Sequence, residues 1–189
     1  MITVADVETS WQVTETGGYD PSPFHPDNIL VSVGINDEYY FTNHTERIDK
    51  GCYHKIQSIL DKTTLLVGHN IKFDLMWLLE SGFKYNGRVY DTMLGEYILN
   101  RGIRKSLTLE MSCRRRRIGS KDNRIKEFTD RGIPFQRIPA DVVEEYGRMD
   151  VQITKDLFHS QMADFKMPKN KHLLMTAKMM NEFLIVLSD

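Results

Sequence analysis

From Ile2 to Glu8 the residue types alternate, with Ile2, Val4, Asp6 and Glu8 on one face and Thr3, Ala5 and Val7 on the other. This predicts a buried strand whose carboxylates emerge at its C-terminal end. Thr14 to Asn28, broken by Gly17, Gly18 and three prolines, reads as a loop. Ile29 to Ile35 is an apolar strand, and Glu38 to Thr42 returns as an aromatic one after a turn at Asn36-Asp37, so the two predict a hairpin. Helical spacing follows from Ile48 to Leu60, then a short strand at Leu65-Leu66-Val67, then a helix from Ile71 to Ser81 capped by Asn70. A strand at Val89-Tyr90 leads into a helix from Thr92 to Leu99 capped by Asp91. Shorter helices are expected through Leu107–Cys113 and Lys121–Phe128, and a long one from Ala140 to about Met162. Strands crowd the first half, and helices alternate with short strands afterwards. The pattern predicts an α/β or α+β fold, a mixed sheet with an antiparallel hairpin flanked by helices.

The last segment carries Leu173, Ala177, Met180, Leu184 and Leu187 at 4-3-4-3 spacing, an apolar helix face that runs to Asp189 without a terminator. We read residues 1–166 as one domain and 167–189 as a helix leading out of it, with a docked terminal helix as the alternative.

Composition is that of a globular protein, and at 189 residues the chain is long enough to bury one sizeable core. No apolar run is long enough to cross a bilayer, and no secretory leader precedes the first strand, so a cytoplasmic, non-membrane protein is expected. Cys52 and Cys113 have no metal-ligand spacing and read as reduced thiols. Net charge is −1, but residues 101–137 hold twelve Lys/Arg against four acids, a surplus of eight positive charges that leaves about −9 elsewhere. An acidic body with one basic segment suggests a polyanion held to one side, although the Arg114–Arg117 run could equally be a solvated helix end.

Three short blocks carry the chemistry. Asp6 and Glu8, two apart on a strand, project the same way; their mutual repulsion is relieved by a hard cation. Tyr146 and Asp150, four apart on a helix, face one spot at the edge of an apolar stripe. Asp74 falls in the first turn of its helix, where it is either a dipole-stabilised surface acid or a metal ligand. Asp91 is explained by capping alone, and His69 by a structural hydrogen bond.

Taken together, Asp6-x-Glu8, Asn70-x-x-Phe73-Asp74 and Tyr146-x-x-x-Asp150 resemble the three motifs of the DEDD exonuclease superfamily, tyrosine subtype. Gly68 to Asp74, Tyr90 to Leu94 and Ser106 to Leu109 look like the proofreading 3′–5′ exonuclease domain of family A DNA polymerases. The resemblance implies an RNase H-like core and two divalent ions, Mg²⁺ or Mn²⁺, held by Asp6, Glu8, Asp74 and Asp150. Tyr146 would orient the attacking water, and nucleoside 5′-monophosphates would leave a single-stranded DNA 3′ end, with RNA also possible. It also implies a polymerase domain in the same chain, reached through the last helix, in a monomer of bacterial or phage-infected cytoplasm.

Where similar domains carry an apolar wedge, this chain has Trp11, which could stack on a base or cover the core. Further substrate contacts are expected from His69, Asn70, Phe73 and the run Arg114, Arg115, Arg116 and Arg117. The competing readings are a stand-alone RNase D-like RNA exonuclease, which shares the motifs, and a scaffold without activity.

Overall fold

A computed structural model describes residues 1–119 and 124–186; Lys121, the expected start of the short helix, and Leu187 and Asp189 of the last one lie outside these. The strands are β1 (Ile2–Thr9), β2 (Gln12–Val13), β3 (Tyr19–Asp20), β4 (Leu30–Ile35), β5 (Glu38–Phe41), β6 (Leu65–Gly68) and β7 (Arg88–Asp91). The helices are α1 (Cys52–Leu60), α2 (Ile71–Glu80), α3 (Thr92–Leu99), α4 (Leu109–Arg116), α5 (Arg124–Thr129), α6 (Ala140–Lys166) and α7 (Leu173–Val186), with a 3₁₀ turn at Phe135–Arg137.

Five strands form a mixed sheet in the order β5-β4-β1-β6-β7. The alternating β1 sits at its centre, antiparallel to β4 and parallel to β6. Asp6 pairs with Gly34 and Glu8 with Ser32. The expected hairpin is β4–β5, and Asn36 turns it with φ 52°. Side-chain alternation divides the core into two layers. Ala5, Val7, Val33 and Ile35 pack under α1 and α2, while Val4, Val67 and Tyr90 pack under α6 and α7.

Two expectations are corrected. The loop Thr14–Asn28 is not featureless: β2 and β3 pair across a turn in which Gly17 takes φ 79°. The helix expected from Ile48 begins only at Cys52, because Gly51 is left-handed (φ 70°) and Asp49 instead accepts a hydrogen bond from the Phe41 amide. Ile48 is 64% exposed.

The long helix α6 crosses the sheet closely at two glycines. A Cβ on Gly34 would meet Val151 at 2.8 Å, and one on Gly147 would meet Tyr39 at 2.4 Å. Tyr39 cannot yield easily: it is buried, its hydroxyl lies 2.8 Å from Ser32 Oγ, and it donates to the Val143 carbonyl. This contact brings Tyr146 and Asp150 to the end of β1. The terminal helix α7 docks on the same core beside β7, with Ala177 and Asn181 buried. Among the described residues, no helix is long and apolar enough to cross a membrane.

Candidate active site

The three motif blocks, far apart in sequence, line one pocket of about 260 Å³. Asp6 and Glu8 come from the C-terminal half of β1, Asp74 from the first turn of α2, and Tyr146 and Asp150 from α6. His69, Asn70, Phe73 and Leu109 also line it, and among the described residues no lysine or arginine does. Asp74 is not a surface acid: it is buried and accepts a hydrogen bond from the Val7 amide (2.9 Å). That bond ties α2 to the strand bearing Asp6 and Glu8.

Burial pushes the Asp74 carboxyl well above the usual carboxylate range, and the charge of Asp6 adds to the shift. Tyr146 is also raised strongly, by burial first and then by Glu8, Asp150 and Asp6. Its phenol therefore stays protonated at neutral pH and donates to the Asp150 carboxylate. Glu8, Asp74 and Asp150 are all nearly inaccessible, and gathering acids at low dielectric is costly without positive charge between them. Their all-oxygen donor set fits a hard divalent cation. Among the described residues, no group of three His, Cys, Asp or Glu side chains stands arranged to hold a metal ion.

The remaining expected residues are placed unequally. His69 lies with Nε2 2.8 Å from the Leu107 carbonyl and Nδ1 2.9 Å from Thr92 Oγ1. Asn70 begins α2 but makes no side-chain cap: it is left-handed (φ 63°, ψ 44°), and its amide donates to Asp91 Oδ1 (2.9 Å). Asp91 caps α3 as expected, accepting from the Met93 amide (2.8 Å), and does not line the pocket. Trp11 is half-buried, edge-on to Tyr19 and Phe135, and Phe135 in turn leans on Tyr146.

The arginine run splits. Arg116 donates to Glu96 Oε2 and Asp164 Oδ2 (2.7 Å each), and Arg115 to Glu96 Oε1 (3.3 Å). These two clamp α4 to α3 and α6, leaving Arg114 and Arg117 exposed. Nothing in the residue pattern marks Glu96 as the buried anchor of this run or Tyr39 as the floor beneath α6. The only available signal for Tyr39 was Gly147, a small residue within a helix that presents acid and phenol.

The sheet order and the helices around it are those of the RNase H-like exonuclease fold. The chain belongs to the 3′–5′ exonuclease family, whose model matches residues 14–163 and so includes Asp74, Tyr146 and Asp150; Asp6 and Glu8 precede the matched stretch. Among solved structures, Brucella melitensis NrnC bound to pGG is similar at 17% identity and a TM-score of 0.67, over 99% of this chain and 82% of that one. The catalytic core of RRP6 from Trypanosoma brucei is similar at 12% identity and a TM-score of 0.63, over 97% and 45%. Escherichia coli RNase D, an exoribonuclease involved in structured RNA processing, is similar at 15% identity and a TM-score of 0.53, over 95% and 44%. A search of curated proteins finds no match.

Proposed function

We propose that this protein is a 3′–5′ exonuclease that releases nucleoside 5′-monophosphates from single-stranded RNA ends, acting without a polymerase. The observation that carries the nuclease reading is the convergence of Asp6, Glu8, Asp74, Tyr146 and Asp150 on one pocket. RNA is favoured because an exoribonuclease stands among the similar folds, and action without a polymerase is favoured because the likeness to NrnC runs over nearly the whole of this chain and most of that one. NrnC is also solved with bound Mg²⁺.

Asp6, Glu8, Asp74 and Asp150 would hold the divalent ions. When bound, those ions would lower the pKa of water and neutralise charge on the scissile phosphate. The chain's own residues supply position. Val7 fixes the Asp74 carboxylate through its amide. Tyr146, kept as a phenol whose O–H is held by Asp150, offers its oxygen as an acceptor to orient a nucleophile. Phe73, Leu109 and Asn70 give the terminal nucleotide an apolar wall and a polar edge.

A proofreading DNA exonuclease, with α7 leading to a polymerase domain, is the second reading, favoured by Tyr90-Asp91-Thr92-Met93-Leu94. Matched 5′-labelled RNA and DNA oligonucleotides with Mn²⁺ separate the two. Faster shortening of RNA from the 3′ end, abolished by EDTA, is expected. Preference for DNA would transfer the protein to the second reading, and no shortening of either would end the nuclease assignment.

A further inference from the structure

The turn from β6 into α2 presents His69 and Asn70 to the pocket and sets the start of the helix that carries Asp74. Its shape is not one its residues choose freely. Asn70 is left-handed, a region that asparagine enters more readily than most residues, but its own side chain makes no capping bond to hold it there. What holds it comes from the β7–α3 junction. Asp91, 1% exposed, accepts the Asn70 amide through Oδ1, while Thr92 Oγ1 lies 3.0 Å from the Gly68 carbonyl and 2.9 Å from His69 Nδ1.

The Asp91 junction is held in turn by α7. The Asp91 amide donates to Asn181 Oδ1 at 2.6 Å, and the Asn181 amide group is oriented by donating to the Ala177 carbonyl at 2.7 Å. Asn181 is 4% exposed, so neither partner has water to fall back on. Packing does not fix this seat by itself, because an apolar cavity of about 160 Å³ lies between α7, β7 and α6, with Asn181 on its wall.

We infer that α7 is a working part of the pocket: Asn181 holds Asp91, and Asp91 holds the Asn70 turn, which makes both of them positioning residues for the nuclease site. Neither lines the pocket. The structural half of this inference stands alone, and the functional half rests on the exonuclease reading above.

The test is amide hydrogen exchange of the metal-free protein, read by NMR at Asn70, in Asn181→Leu, a substitution of similar size that removes both polar groups. Exchange at Asn70 should quicken about tenfold or more. Met162→Ala, on the far wall of the cavity, should lower Tm comparably without changing exchange at Asn70. Asp91→Ala should quicken it as well, and Asp91→Asn, which keeps the Oδ1 acceptor, should restore protection. In oligonucleotide cleavage, Asn181→Leu should raise KM more than it lowers kcat, and should add nothing to Asp91→Ala in the double variant. Unchanged exchange at Asn70 in Asn181→Leu overturns the relay. Quickened exchange with unchanged KM overturns its functional half. Absence of cleavage by the wild type sinks the exonuclease reading instead, and the exchange result still decides the relay.

Discussion

At the scale of single residues, Asp74 carries the clearest consequence. Its carboxyl is held above the ordinary range, so in the folded state it prefers the proton. The stability this contributes is complete below the unfolded carboxylate pKa and is lost as pH rises through the raised folded value. Asp74→Asn keeps an oxygen for the Val7 amide and removes the charge. The metal-free variant should therefore melt higher than the wild type at pH 7, with the gap closing towards pH 4, as calorimetry would record. The same variant should lose cleavage. Tyr146→Phe keeps the ring against Phe135 and removes only the donor to Asp150. Its kcat should fall on the order of 100-fold, less than on removal of Asp6, because orientation is lost and the acids remain.

At the scale of elements, the close crossing of α6 over β4 and β5 governs where Tyr146 and Asp150 stand. Gly147→Ala must displace the buried Tyr39 ring or lift the helix. Overpacking of this kind costs about 1–3 kcal/mol, measurable as a lowered urea midpoint, and turnover should fall with it. The arginine run divides by role. Arg116→Met leaves Glu96 buried with fewer cationic partners and should destabilise by about 3–5 kcal/mol in the same titration. Arg114→Glu with Arg117→Glu should leave the midpoint nearly unchanged, raise KM and flatten its salt dependence if these exposed groups touch the strand. Most elements were legible beforehand because each has its own periodicity: β1 by alternation, α3 by Asp91 and the apolar positions after it. What escaped were features set by distant partners. Asn70 does begin its helix, but its backbone is held by Asp91, twenty-one residues on. Arg115 and Arg116 look like solvated charge until Glu96 is seen beneath them.

At the scale of the whole molecule, the pocket forms where the central strand ends between two helical layers, so its acids are imposed by the fold in close company. A ligand that binds only the folded state stabilises it by mass action, by about 2.7 kcal/mol at a hundredfold excess over Kd. Mn²⁺ should therefore raise the Tm of the wild type, and Asp6→Ala should lose most of that rise. The convergence of three blocks was foreseeable from motif order, since Asp6-x-Glu8 and Tyr146-x-x-x-Asp150 each suit one face of one element. The depth of burial was not, because it depends on how closely Gly34 and Gly147 let α6 approach. The chain has two tryptophans. Trp77 lies on α2, three residues beyond Asp74, and its indole N–H anchors the Pro21 carbonyl of the β2–β3 region. Trp11 touches the ring that leans on Tyr146. The molecule thus has a built-in optical gauge: indole emission should respond when an ion or a nucleotide enters the pocket, with no label attached.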